Sequence, residues 1–258
     1  MLTVSIADYI RPEDGCNRTP AVVRALQAHP GDDLCFRLTP EQWDFYEDGA
    51  FEEVCYESNN DGGLKKVLFS LHGRCRVTVD GAGSRFMIHG RLSAFVVDGC
   101  EQITLCNLSS DCQRPFYTQG RVCRSTDSEV ELEIDRAEFP FRVCDTNFVP
   151  YGDCWENALK DMTPLCQEFD GGMESPAPGS PTAMAWIGEG NPNVENLPAQ
   201  LWRLFASETP EGHLRLVGDF GYAMKPGNWL IMTHEKRLNS FCFIRESVGV
   251  TVRDIRLY

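Results

Sequence analysis

The chain has 258 residues, of which 42% are apolar and 24% charged, enough to bury a core in one large or two modest domains. Its formal charge of −14 excludes nucleic acid and anionic membranes as partners, because neutralising phosphate takes concentrated Lys and Arg. A polyanionic ligand is repelled for the same reason, and a neutral one suits the chain better.

Taken in chain order, Met1–Ile6 lacks a basic stretch followed by a long apolar one and reads as a first strand, not a signal peptide. No run is long and apolar enough for a membrane span. As written the chain is expected to be cytoplasmic, or secreted or periplasmic where a leader has been removed. After the turn at Arg11–Gly15, Thr19 is suited to cap a helix with Pro20 at its first position. Ala21, Val22, Val23, Ala25, Leu26 and Ala28 continue at helical spacing until Pro30-Gly31, and a strand follows at Asp33–Leu38. Residues 1–40 are expected to form an N-terminal cap over the open edge of what comes next. Residues 41–66 read as an irregular acidic and aromatic excursion ending in the turn-rich Ser58-Asn59-Asn60-Asp61-Gly62-Gly63.

A phrase then repeats: Val77-Thr78-Val79, Ile103-Thr104-Leu105 and Val250-Thr251-Val252, each shortly after an apolar pair, Phe69/Leu71, Phe95/Val97 and Cys242/Ile244. The first step, from 77 to 103, is 26 residues, a solenoid period. The second, from 103 to 250, is 147, which places an inserted module between neighbouring coils. Alternation points Phe69, Leu71, Phe95, Val97, Val79 and Leu105 inward. Gly81, Asn107 and Asp254 fall at one corner, where left-handed backbone costs these residues least, and Ala82, Leu108 and Ile255 are expected to re-enter the core. The expected fold is therefore all-β: a right-handed parallel β-helix with an N-terminal capping helix and an inserted small β-barrel or sandwich. Its divisions are 1–115 (cap and first coils), 116–227 (insertion) and 228–258 (resumed coil). Within the insertion, Val130–Ile134, Phe139–Val143, Met184–Ile187, Leu201–Ala206 and Leu214–Val217 read as short strands. The tract Gly171–Pro181 reads as a flexible surface loop.

The twelve cysteines carry no CxxC pair and no secretory signal, so they read as reduced small hydrophobes in stacked interior positions. No metal-ligand spacing, phosphate loop or Ser/His/Asp order stands out, and neither metal nor cofactor is expected. The adjacent acids Asp32/Asp33, Glu47/Asp48 and Glu52/Glu53 read as solvated charge, since strand neighbours point to opposite faces.

The N-terminal entry tract, Ser58–Asp61 through Leu64-Lys65, Val79-Asp80-Gly81, His89-Gly90-Arg91, Asn107–Asp111, Arg114-Pro115-Phe116, Gln119-Gly120 and Lys225-Pro226-Gly227-Asn228-Trp229 together resemble glycoside hydrolase family 110, the α-1,3-galactosidases, some acting on blood-group-B-type antigens. The resemblance implies metal-independent, inverting hydrolysis of a terminal α-linked galactose by two carboxyl groups roughly 6.5–9.5 Å apart. The family's helix continues for many coils, so the resemblance places the catalytic carboxylates beyond Tyr258, leaves this chain an N-terminal portion, and leaves its own catalytic residues unassigned. Cys112 and Gln113 depart from the more aromatic or acidic stretch expected there.

Candidate substrate-binding residues are Asp111, Arg114, His89, Arg91 and Arg237. Asp111 and Arg114 flank the departure into the insertion; they either fix sugar hydroxyls by charge-assisted bonds or pair with each other. His89 and Arg91 precede the second coil's core strand as His234 and Arg237 precede the third, which suggests a ladder that lines a groove or faces solvent. Two other readings stand beside the hydrolase. One is a polysaccharide lyase, disfavoured by the net charge; the other is a non-catalytic β-helix that binds glycans or assembles with a partner. Val250–Tyr258 has nothing after it to cover the last coil, so self-association through that edge is expected.

Overall fold

A computed structural model describes residues 1–56, 63–156, 165–180, 183–187, 201–234 and 240–258. The chain is mostly β and divides into two compact units, Met1–Gln113 with Arg237–Tyr258, and Arg114–Lys236. Among the described residues no helix is long and apolar enough to cross a membrane.

In the first unit, β1 (Leu2–Ser5), helix α1 (Thr19–Ala28), β2 (Leu34–Arg37), β3 (Gln42–Tyr46) and β4 (Phe51–Cys55) precede the long strands β5 (Gly63–His72), β6 (Cys75–His89), β7 (Leu92–Asp98) and β8 (Glu101–Cys112). The second unit holds β9 (Tyr117–Ser125), β10 (Glu129–Glu133), β11 (Phe141–Cys144), β12 (Asn147–Pro150), β13 (Leu165–Phe169), β14 (Ala183–Ile187), β15 (Leu201–Glu208), β16 (Leu214–Gly218) and β17 (Trp229–Thr233). The chain then returns to the first unit with β18 (Cys242–Arg245) and β19 (Thr251–Leu257).

The repeat sets the register of the first unit. Phe69 pairs with Phe95 and Leu71 with Val97, and Cys242 and Ile244 pair with the same Phe95 and Val97. Val77 pairs with Ile103 and Val79 with Leu105, while Thr251 and Val252 pair with Thr104 and Leu105. All these ladders are parallel. The six side chains expected to point inward are fully buried, and the Phe69 and Phe95 rings stack with centroids 5.1 Å apart. The backbone turns at recurrent places as well. Gly73, Gly99 and Glu246 have φ of 58°, 61° and 48°, and Arg76, Gln102 and Gly249 have 53°, 55° and 71°. Both sets repeat at the steps of the sequence phrase, because the same left-handed corner is needed in each repeat of the parallel ladders.

At the third corner Asn107 (φ 59°) and Asp254 (φ 55°) turn as expected, but the first coil differs. Its ladder shifts between Asp80 and Ser84, and Ala82 and Gly83 take the positive φ in place of Gly81. Gly81 is required for another reason: a Cβ there would lie 2.5 Å from the Asn107 carbonyl oxygen. Ser84, not Ala82, pairs with Leu108 and is buried.

Three expectations for the segments around the coils need correction. Thr19 lies inside α1 without capping it; its hydroxyl donates to the Tyr46 carbonyl at 2.8 Å and accepts the Tyr46 N–H at 3.0 Å. Residues 42–46 are not an irregular excursion but β3, parallel to the end of β6, with Trp43 and Phe45 buried in the core. The acid pairs are not mere solvated charge: Asp32 accepts the Cys75 N–H at 2.8 Å, Asp33 holds the Arg76 guanidinium through two bonds, and Glu52 pairs with Lys66 at 2.7 Å. Residues 58–62 of the turn-rich tract lie outside the described residues.

In the second unit, seven strands close in the order β10-β16-β15-β14-β13-β17-β9 as a barrel. Val122, Val130, Leu132, Leu204, Leu216, Leu230 and Met232 fill its core. Gly120 lets β9 pass close to β10, since a Cβ there would meet Ile134 at 2.8 Å and Leu132 at 2.9 Å. Lys225–Asn228 does not mark the return to the coils: β17 still pairs with β9 and β13, and coil pairing resumes at Cys242. Residues 171–180 lie outside the regular strands and are mostly exposed, as expected of a surface loop. Asp170 accepts hydrogen bonds from the N–H groups of Gly172 and Glu174 and from the Ser175 hydroxyl, and Ala177 is buried. No cysteine is disulfide-bonded; Cys55, Cys100, Cys106 and Cys166 are buried as expected, whereas Cys16, Cys144 and Cys154 are exposed.

Candidate functional site

Where the third corner of the coils turns, a groove of about 610 Å³ opens among Arg37, Asp80, Asn107, Ser109, Arg256 and Tyr258. A hollow of about 320 Å³ adjoins it, sharing Arg37 and Ala82. The corner conformation brings side chains from successive coils together: Asn107 Nδ2 donates to Asp80 Oδ1 at 2.9 Å, which also accepts the Ala82 N–H at 2.9 Å. Burial alone would raise the Asp80 pKa. Those hydrogen bonds and the Arg37 charge more than offset it, and the carboxylate is held below its ordinary range. A lining of guanidinium, carboxylate, amide and hydroxyl groups offers donors and acceptors of both kinds beside an exposed tyrosine ring. That chemistry suits a neutral, hydroxyl-rich ligand.

None of His89, Arg91, Asp111 and Arg114, the described residues among those singled out from the sequence, lines this groove. Asp111 pairs with Arg85 at 2.8 Å. Arg114 is buried in the second unit and donates to the carbonyls of Pro115 and Tyr117 and to the Thr118 hydroxyl. Phe139 and Trp155 flank its guanidinium at 5.0 and 5.5 Å. Burial lowers its pKa to about 10. The reading in which Asp111 and Arg114 hold each other is thus replaced by separate partnerships. His89 is buried, with Nε2 at 3.0 Å from Asp44 Oδ1 and its ring stacked on Tyr46. The Arg91 backbone N–H donates to Glu47 at 2.6 Å. His234 does not continue a ladder from His89, because it belongs to the second unit. It is fully buried there, 2.7 Å from the Thr118 hydroxyl, and burial drives its pKa well down. Arg237 lies outside the described residues.

The barrel also contains polar groups that spacing did not reveal. Buried Glu168 accepts from Asn228 Nδ2 at 2.6 Å and from the Lys225 N–H at 3.0 Å. This explains why the Lys225–Asn228 tract is distinctive: it is anchored on a carboxylate some sixty residues away. Cys123, Glu131 and His213 bring three donor atoms within 4.8 Å of one another, although 123, 131 and 213 have no metal-like spacing. Only the pairing of β10 with β9 and β16 brings them together.

Residues 118–230 match the family model of GLAA-B beta-barrel domain I. An alpha-1,3-galactosidase B from Bacteroides thetaiotaomicron is 28% identical over 264 residues, covering 99% of this chain and 40% of the relative. An alpha-1,3-galactosidase A from Shewanella woodyi is 33% identical over 241 residues, 91% of this chain and 36% of the relative. An alpha-1,3-galactosidase B from Akkermansia muciniphila is 27% identical, with 92% and 27% covered. The chain therefore spans well under half the length of these curated relatives.

Proposed function

This chain is a relative of the α-1,3-galactosidases of glycoside hydrolase family 110, and we propose that it serves hydrolysis of a terminal α-1,3-linked galactose. The observation that carries this reading is similarity to proteins of that name along nearly the whole chain, coils and barrel alike. The parallel ladders and their repeated corners support a right-handed parallel β-helix, interrupted by the barrel, as the scaffold. On this reading the corner groove contacts carbohydrate, Arg37, Asn107, Ser109 and Arg256 meeting hydroxyls and Tyr258 an apolar sugar face.

Inverting hydrolysis needs one carboxylic acid whose pKa is raised so that it can protonate the leaving oxygen. Hydrogen bonding by Arg245 holds Asp98 low, Arg215 does the same for Glu129, and Asp80 is low as described. These acids are poor candidates for the proton donor. Family resemblance, and not these three acids alone, assigns the catalytic pair to the part of the relatives that this chain does not span. The same observation favours a second reading, in which these residues bind glycan without cleaving it.

The test is direct. The 258-residue chain is expected to bind α-methyl galactoside by saturation-transfer NMR, to bind it more weakly as Arg256→Ala, and to release no galactose from an α-1,3-linked disaccharide. Turnover above a buffer blank would place the acid pair within this chain, and absence of binding would remove the groove from the proposal.

A further inference from the structure

We propose that Cys123, Glu131 and His213 form a binding site for one zinc-like divalent cation on the barrel unit. The site is built by three separate features of the backbone. Arg124 pairs with Glu131 and Val122 with Leu132, so the ladder between β9 and β10 slips at this point and leaves Cys123 as the extra residue. Such a bulge re-aims a side chain, here beside Glu131. His213 is delivered by a tight turn: the Thr209 hydroxyl accepts the His213 N–H at 3.3 Å, and Gly212 supplies the positive φ of 86°. Glu131 is buried, yet its carboxylate is oriented at both oxygens. Oε1 lies 2.7 Å from His213 Nδ1, and Oε2 accepts from Arg124 Nε at 2.5 Å. Arg215, which pairs with Glu131 in the ladder, bonds Glu129 instead.

The donor set is selective. One thiolate, one imidazole and one carboxylate suit zinc, whereas calcium and magnesium take oxygen ligands throughout. Thiolate and carboxylate together balance a double positive charge. Binding displaces the Cys123 thiol proton to solvent and turns a lone pair of neutral His213 toward the ion. The contact between His213 and Glu131 must open to about 3.3 Å, as bonds of about 2.0–2.1 Å at tetrahedral angles require. Cys123 and His213 are only half buried, which leaves solvent to complete the coordination. The Arg124 charge opposes the ion. This inference does not depend on the glycosidase reading, and it assigns the ion no part in hydrolysis.

The test uses the full 258-residue chain, reduced and treated with chelator, and titrated with zinc by calorimetry and with cobalt by absorbance. One equivalent is expected to bind with proton release, and cobalt is expected to show a thiolate charge-transfer band. Cys123→Ser should weaken binding by roughly 100-fold or more and abolish the band, while Cys144→Ser, at an exposed cysteine elsewhere in the unit, should change neither. Arg124→Gln should tighten binding, which keeps the proposal testable if the Cys123 variant folds poorly. Failure to take up one equivalent, a band that survives Cys123→Ser, a band lost in Cys144→Ser, or weaker binding in Arg124→Gln would each overturn it.

Discussion

The coil unit and the barrel unit reach stability by different routes. In the coils, the buried rings of Phe69, Phe86 and Phe95 stack on one another, and left-handed corners recur at the sequence period. In the second unit, Arg114, Glu131, Glu168 and His234 are buried; Arg114 is held by local hydrogen bonds up to Thr118, and the other three by groups distant in sequence. A repeated apolar stack spreads its stability over many equivalent contacts. A buried polar network concentrates it, because one lost partner leaves several unsatisfied groups.

Substitutions that discriminate the two units test this contrast. Phe95→Ala should have the largest effect, a loss of about 3–5 kcal/mol for a fully buried ring. Trp43 is the single tryptophan in residues 1–113 and 237–258, so the loss should appear in its emission during urea unfolding and leave the barrel's tryptophan signal in place. A shift of both signals together would mean the units unfold as one. Arg114→Ala comes next, costing about 3 kcal/mol. It removes the donor to two carbonyls and a hydroxyl, and its effect should fall on the barrel transition, with Arg114→Lys recovering part of it.

Gly81→Ala should cost about 1–3 kcal/mol through overpacking against Asn107. Asn107→Ala should cost about 1–2 kcal/mol, because alanine tolerates the left-handed corner poorly; a near-neutral Asn107→Ala would weaken the argument from recurrent corners. The smallest effect is one of pH. Buried His234 has its pKa pushed down in the folded state, so the unfolded chain binds the proton first. Its contribution is complete above the ordinary histidine value of about 6.5 and is lost as pH falls below that toward the folded value. The barrel midpoint should therefore drop between about pH 7 and pH 5, and His234→Gln should flatten the profile.

The coils were largely legible in the residues themselves. Val77, Ile103 and Val250 announced the register, and alternation announced which side chains are buried, since both depend on neighbours two positions apart. The exceptions are informative. Trp43 and Phe45 were missed as core because acidic neighbours hide a five-residue strand whose partner lies some forty residues on. Gly81 was assigned to the corner, whereas its role is close approach to a backbone from the next coil, which no local pattern encodes. The candidate site was hardly legible: His89, Arg91, Asp111 and Arg114 have structural partners, while the groove residues Arg37, Asn107 and Arg256 come from different coils and gain meaning only when stacked.

Sequence alone determined the mostly β character, the repeat period, the register of the repeated strands and the long stretch that separates the second repeat from the third. These follow from side-chain alternation and from the cost of left-handed backbone, both local properties. Tertiary structure alone decided how the barrel closes, that β17 remains in it, and which donors meet at Asp80, Glu131 and Glu168. Those outcomes depend on pairings between distant strands, where a slip of one residue moves every side chain to the opposite face.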